Sequence, residues 1–285
     1  MKKRRVRPRV MLVLLSLVAL GAWLYQGDLP AEAVDAKYTS PASQFLTLDD
    51  GARIHFRDEG NHTGLPIVLI HGSMASLHTW TPWVERLGKT YRIVTLDLPA
   101  HGLTGAVPSG DYSGAAQLRV VQAVTTHLNL DAFVLGGNSM GGGVSWLYAL
   151  EHPEKVEALL LVDASGQPSA KSGKLPLGFR LMRMPVIKEA ARFIAPRSIF
   201  ESSVKTSMSV QSKIDDKLID RYWELNRYPG NREATMRRFA SPRNMTAGTK
   251  ERLSAIQVPV LILWGADDNL IPVTSAKWFA EALPQ

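Results

Sequence analysis

Ala132-Phe-Val-Leu-Gly-Gly-Asn-Ser-Met-Gly-Gly-Gly143 is the stretch on which the reading of this sequence turns. Ala132–Leu135 is a short apolar run of the kind a buried strand requires. Met140–Glu151 has the composition of a helix. Between them, Gly137-Asn-Ser-Met-Gly141 fits G-x-S-x-G in a strand–turn–helix setting. A turn that sharp forces the serine backbone into strained dihedrals, so its neighbours must be small, and Gly137, Gly141, Gly142 and Gly143 meet that need. The Ser139 hydroxyl then projects over the C-terminal edge of a sheet. It stands at a helix N-terminus, where free N–H groups and the helix dipole favour a developing negative charge. Ser139 is therefore the candidate nucleophile, and the Met140 amide a candidate oxyanion donor.

Outward from this turn the same pattern recurs. Pro66–Ile70 and Arg92–Leu96 are buried-strand runs, and Val156–Val162 and Val258–Trp264 follow later. Gln44–Leu48 and Arg53–Asp58 flank Asp49-Asp50-Gly51, a hairpin signal. Thr79–Leu87 has helical spacing, and Ser113 is placed to cap a helix running to His127. Strand and helix alternating at this interval predict an α/β fold, a mostly parallel sheet with helices on both faces. His71-Gly72-Ser73 follows the Pro66–Ile70 strand and offers a second oxyanion donor, the Ser73 amide, with Met74 as runner-up. His71 itself reads as a structural histidine of that loop.

Residues 166–253 break the alternation. They hold helical patches and six prolines but no buried strand, so they read as a helical insertion, a cap, within a core formed by 44–165 and 254–285. Charge divides the same way: the insertion has 18 Lys and Arg against 8 Asp and Glu, whereas 10–165 and 254–285 together have 9 against 18. A basic cap thus faces an acidic core.

The net charge of +7 over 285 residues comes mostly from six cations within the first nine positions. The remaining 27 basic and 26 acidic residues nearly cancel, which removes the argument for nucleic acid as a partner. Zero cysteines exclude disulfides, thiolate metal sites and a cysteine nucleophile. No metal-ligand or dinucleotide-loop spacing is present, so neither a metal nor a cofactor is expected. The uncharged run Val10–Tyr25 behind the basic stretch predicts a signal peptide or an N-terminal membrane anchor (residues 1–25). With it goes an extracytoplasmic location, membrane-anchored or, if cleaved, secreted or periplasmic. Residues 26–43 read as a linker. Oligomeric state is not legible.

Four pieces together resemble the α/β-hydrolase superfamily over residues about 44–285. They are His71-Gly72 with Trp80 nine residues on, Asp97-Leu-Pro-Ala-His101-Gly102-Leu-Thr104, Gly137-Asn-Ser-Met-Gly141, and Trp264-Gly-Ala-Asp-Asp268-Asn-Leu-Ile-Pro272. The resemblance implies a serine hydrolase acting on carboxylic esters of small apolar substrates through an acyl-enzyme. The 166–253 insertion would be the family's helical cap. Asp268 would be the triad acid, with Asp267 and Asp163 as alternatives. The elbow is also similar to that of meta-cleavage C–C bond hydrolases, although Met74-Ala75-Ser76 stands where that subgroup often has Gly-Pro-Gly.

One departure matters. Family order is Ser, Asp, His, and the seven histidines, His55, His62, His71, His78, His101, His127 and His152, all precede Asp268. The last strand, the histidine loop and the last helix of the family pattern are missing from the sequence as read. The expectation is then a C-terminally truncated hydrolase or a degenerate one, the latter an inactive binding protein of this fold.

Overall fold

The computed structural model describes residues 25–168, 177–182, 193–240 and 248–284, together with 11, 16, 19 and 184. Its centre is a seven-stranded sheet. The strands are β1 (Ser43–Thr47), β2 (Arg53–Gly60), β3 (Pro66–Ile70), β4 (Arg92–Leu96), β5 (Phe133–Asn138), β6 (Val156–Val162) and β7 (Val260–Leu263). Their order is β1-β2-β4-β3-β5-β6-β7. β1–β2 and β2–β4 pair antiparallel, and every other pair is parallel. This is the α/β-hydrolase fold expected from the sequence.

The parallel strands are buried from both sides, which is why they read as continuous apolar runs. Val68, Leu69 and Ile70 of β3 are all fully buried, as are Val94 and Leu96 of β4. The layers that bury them include α2 (Thr81–Leu87), α3 (Gly114–His127) and α4 (Met140–Glu151). Ser113 caps α3 as predicted, its side chain accepting from the Ala116 N–H. Leu118, Val121 and Val124 of that helix enter the main core. The predicted helical spacing at Thr79–Leu87 resolves into a 3-10 turn over Leu77–Trp80 followed by α2, with Pro82 in its first turn.

Between β6 and β7 the described residues are helical: α5 (Leu177–Met182), α6 (Arg197–Ser207), α7 (Asp216–Asn226), α8 (Asn231–Ala240) and α9 (Lys250–Leu253). Arg197 clamps α6 to α7 through Asp216 and Asp220, each at 2.6 Å. A final helix, α10 (Thr274–Ala282), packs behind β7. β7 is an edge strand of this sheet, and Leu261 and Leu263 are exposed on it.

Two expectations are corrected. The stretch read as a linker carries a helix, α1 (Ala31–Tyr38), which begins directly after Pro30. Val34 and Tyr38 from it join Leu103, Leu225 and Tyr228 in a separate apolar cluster. Small residues and prolines suggested a linker, but they also suit a short helix packed close to its neighbours. The second correction concerns the membrane. Among the described residues no helix is long and apolar enough to cross one. The sixteen uncharged residues from Val10 to Tyr25 fall short of the about 20 a span needs. The anchor through residues 10–25 and the location inferred from it are therefore withdrawn. The alternative of a signal peptide falls almost wholly outside the described residues.

Candidate active site

Strand register decides what meets at the sheet's C-terminal edge. Ile70 lies opposite Leu96 on one side and Gly137 on the other, while Val162 lies opposite Asn138 and Leu263. The residues just past these ends, His71-Gly72-Ser73, Asp97, Ser139, Asp163 and Trp264-Gly265, are thus brought along one edge by the parallel pairing itself.

Ser139 sits between β5 and α4 at φ 53°, ψ −114°. A residue with a Cβ holds such dihedrals only where its surroundings enforce them. Here the Ser139 N–H donates to Val162 O at 2.9 Å, and its carbonyl accepts from Ser165 N at 2.9 Å and Gly143 N at 3.1 Å. The glycines make the turn fit. A Cβ on Gly137 would strike the Gly141 backbone, and one on Gly141 would strike the Ile70 carbonyl. On Gly72 it would come within 3.3 Å of the Ser139 Cβ, so the loop after β3 lies directly against the serine. Among the described residues the Ser139 hydroxyl has no hydrogen bond, and neither do the backbone N–H groups of Ser73, Met74 and Met140. Met140 opens α4, whose first-turn N–H groups have no partner within the helix.

Asp163 and Asp268 flank Gly265. Asp163, also at positive φ, accepts from the Gly265 N–H at 2.7 Å. Burial pushes its pKa up, the Gly265 hydrogen bond opposes this, and the nearby Asp268 charge adds to the rise. Asp268 Oδ1 accepts from Leu270 N at 2.6 Å and Ile271 N at 3.0 Å, which leaves Oδ2 without a hydrogen bond among the described residues. The backbone thus holds one oxygen of each carboxylate, with two amides on Asp268 and one on Asp163, and Oδ2 of both has no hydrogen bond among the described residues.

The histidines are committed elsewhere. His71 is fully buried; its Nδ1 faces Gly72 O at 2.7 Å, and its Nε2 accepts from the Leu98 N–H at 3.1 Å. Burial lowers its pKa. A Ser43–His55–Asp97 array (Nε2 to Oγ 2.9 Å, Nδ1 to Oδ2 2.7 Å) has the residue types of a triad. Its hydrogen bonds are consumed by the fold: Asp97 also accepts from Leu77 N and Leu103 N, and Ser43 Oγ from Ser40 N and Arg57 Nε. It ties β1, β2 and the loop after β4 together. His101 bonds Pro99 O at 2.9 Å through Nδ1, while its Nε2 is buried without a partner. Among the described residues no histidine hydrogen-bonds Ser139.

A residue that sequence reasoning passed over completes the site. Asn231, Thr235 and Arg238 lie on one face of α8, at spacings of four and three. Asn231 donates to Gly102 O at 3.0 Å, and Thr235 reaches Ala100 O at 3.4 Å. Arg238 extends this row to Ser73 Oγ and to Met140 Sδ, the latter at 3.4 Å. A polar stripe at i, i+4, i+7 on the helix was the available signal. Among the described residues no group of His, Asp and Glu is spaced to hold a metal.

The alpha/beta hydrolase fold model matches residues 66–285. The chain is 26% identical over 245 residues to the 2-hydroxy-6-oxo-6-phenylhexa-2,4-dienoate hydrolase of Burkholderia cepacia, covering 82% of each. Among solved structures it is similar to a membrane phospholipase A described as a bacterial virulence factor. That match has a TM-score of 0.74 and 25% identity, over 98% of this chain and 89% of the other. A thermophilic esterase from Thermogutta terrifontis matches with a TM-score of 0.67 and 25% identity, over 85% and 87%. This chain belongs to the α/β hydrolase family. It is an α/β-fold hydrolase.

Proposed function

We propose that this hydrolase cleaves carboxylic esters through an acyl-enzyme formed on Ser139. One observation carries the reading: Ser139 is held at φ 53°, ψ −114° with its hydroxyl unengaged among the described residues, beside backbone N–H groups that are equally unengaged. Strain of this kind costs on the order of 1–3 kcal/mol and persists where it positions a group. The similarity to a phospholipase A and to an esterase favours an ester as substrate.

In the proposed sequence Ser139 Oγ attacks the ester carbonyl carbon and its proton passes to a base. The carbonyl oxygen becomes an oxyanion that receives the Met140 and Ser73 N–H groups. Collapse breaks the bond to the alcohol, which leaves with a proton. Water then attacks the acyl-enzyme, and the carboxylic acid departs as Ser139 regains its hydrogen. Asp268 is the proposed acid that orients and stabilises the protonated base. None of the seven histidines occupies the base position. Added imidazole therefore belongs in the assay. The test is turnover of p-nitrophenyl butyrate, with and without imidazole, by the parent and Ser139→Ala proteins. We expect turnover that rises with imidazole and is lost in the variant. Activity unchanged by Ser139→Ala would refute the mechanism.

A second reading is C–C bond hydrolysis, favoured by the similarity to the Burkholderia cepacia enzyme. Turnover of 2-hydroxy-6-oxo-6-phenylhexa-2,4-dienoate faster than that of any ester would replace the first reading with this one. Ligand binding with no turnover of either would instead indicate a binding protein on this fold.

A further inference from the structure

Arg238 presents a positive charge that no described carboxylate answers. Of its five N–H donors, one on Nη2 meets Ser73 Oγ, one on Nη1 meets Met140 Sδ at 3.4 Å, and Nε is buried with no partner among the described residues. The guanidinium lies 4.4 Å over the Phe239 ring. No described carboxylate pairs with it, in contrast to Arg232, Arg237 and Arg197, which all have acidic partners. Burial alone lowers its pKa, to about 10, so it stays charged at neutral pH. The neighbouring His101 is held neutral, its pKa pushed well down chiefly by burial and further by the charges of His71 and Arg238.

An unpaired charge withdrawn from water is destabilising unless something compensates it. A chain with 26 acidic residues had carboxylates available for that purpose, and none is placed here among those described. The position is also a constructed one. Asn231 and Thr235 fasten α8 to the Ala100–Gly102 loop, and the next turn of the same face delivers the guanidinium. It arrives on the side chains of Ser73 and Met140, the two residues whose amides are proposed to face the oxyanion. A thioether and a hydroxyl are weak partners that a stronger acceptor displaces readily.

We propose that Arg238, with Ser73 Oγ, forms a subsite for an anionic group of the substrate, a phosphate or a carboxylate carried close to the scissile carbonyl. The natural substrates are then anionic esters, and the substrate supplies a counter-charge that no described carboxylate provides. The planar guanidinium fork matches either oxyanion in a two-point contact, which an ammonium would not reproduce. This rests on the reading of Ser139 as nucleophile, and the test is arranged so that either idea can fail alone.

Binding is measured by calorimetry in the Ser139→Ala protein, where no turnover intrudes. Two probe pairs are used: monoethyl succinate against diethyl succinate, and butyrylglycerol phosphate against monobutyrin. We expect each anionic ester to bind at least tenfold more tightly than its neutral partner. Adding Arg238→Met removes that gap, and adding Arg238→Lys preserves part of it. The parent protein, assayed with chromogenic esters of the same two kinds, shows the preference mainly in KM. A larger gap for the phosphate pair assigns phosphate as the natural group, and a larger gap for the succinate pair assigns carboxylate. Equal binding within both pairs, or a gap that survives Arg238→Met, overturns the proposal. Melting temperatures establish that each variant is folded, and should the Met variant not fold, an undiminished gap in Arg238→Lys is the overturning result. If the gap is present but the parent's turnover does not depend on Ser139, the subsite stands and the nucleophile assignment falls.

Discussion

Ser139, the proposed nucleophile, and Ser73 and Met140, the proposed oxyanion donors, were nameable from the sequence because the turn that places them is a matter of local backbone geometry. A G-x-S-x-G turn between a strand and a helix has one way to run. The register of β3 against β5 then places Ser73 beside it without any further information. Asp268 was legible for a weaker reason, its register in a motif. Asp268 stays a proposal resting on that register, with two backbone amides fixing its Oδ1 against the single Gly265 amide on Asp163. Accordingly, Asp268→Asn should lower the imidazole-supported, Ser139-dependent ester turnover by at least about tenfold, while Asp163→Asn should change it by less than about threefold. Steady-state kcat/KM for the two variants decides between them, and the reverse order would move the acid to Asp163. Arg238 was not legible in this way. Its spacing on α8 marks a polar stripe, but only the docking of that helix on the Ala100–Gly102 loop aims the stripe at Ser73.

At the scale of elements, the alternation of buried runs and amphipathic segments predicted β3 to β6 and α3 and α4 closely, since those elements are defined by burial and by caps such as Ser113. What composition missed was the segment before β1. It ties α7 and α8 to β2, which it meets through Asp35 on Arg53 and the Tyr38 carbonyl on Arg57. Asp28 pairs with Arg232 at 2.6 Å and accepts from Gly230 N, while Tyr38 and Lys37 both reach Glu224. These contacts span about two hundred residues of sequence, and no local pattern encodes them. Asp28→Ala should therefore be costly for a surface-proximal substitution. It strands the Arg232 guanidinium, whose side chain is only 8% exposed. A loss of about 2 kcal/mol is expected in urea unfolding, against less than about 0.5 kcal/mol for Asp49→Ala in the exposed β1–β2 turn. Equal effects of the two would mean that the segment is a passive tether.

For the molecule as a whole, the buried titratable groups set how stability depends on pH. His71, His78 and His101 are all buried and have lowered pKa values. Burial is the leading cause in each case, and His78 falls to about 4. In the unfolded chain these imidazoles take a proton near the usual value of about 6.5. Because the folded values are the lower ones, their contribution is complete above about pH 6.5 and is lost as pH falls towards 4. Asp97 acts in the same direction at lower pH. Burial would raise its pKa, but the His55 hydrogen bond and the surrounding histidines hold it well below the carboxylate range. The melting temperature should be level above pH 7 and decline steadily from about pH 6.5 to 4. A melting temperature that rises on acidification would contradict this account of the core.

Whether Ser139 is the proposed nucleophile is read by intact mass spectrometry after exposure to a fluorophosphonate probe. A single adduct is expected on the folded protein, located at Ser139 by peptide mapping, slow without imidazole, faster with it, and absent from Ser139→Ala. A folded protein that takes up no probe even with imidazole, or takes it up at another serine such as Ser43, would contradict it.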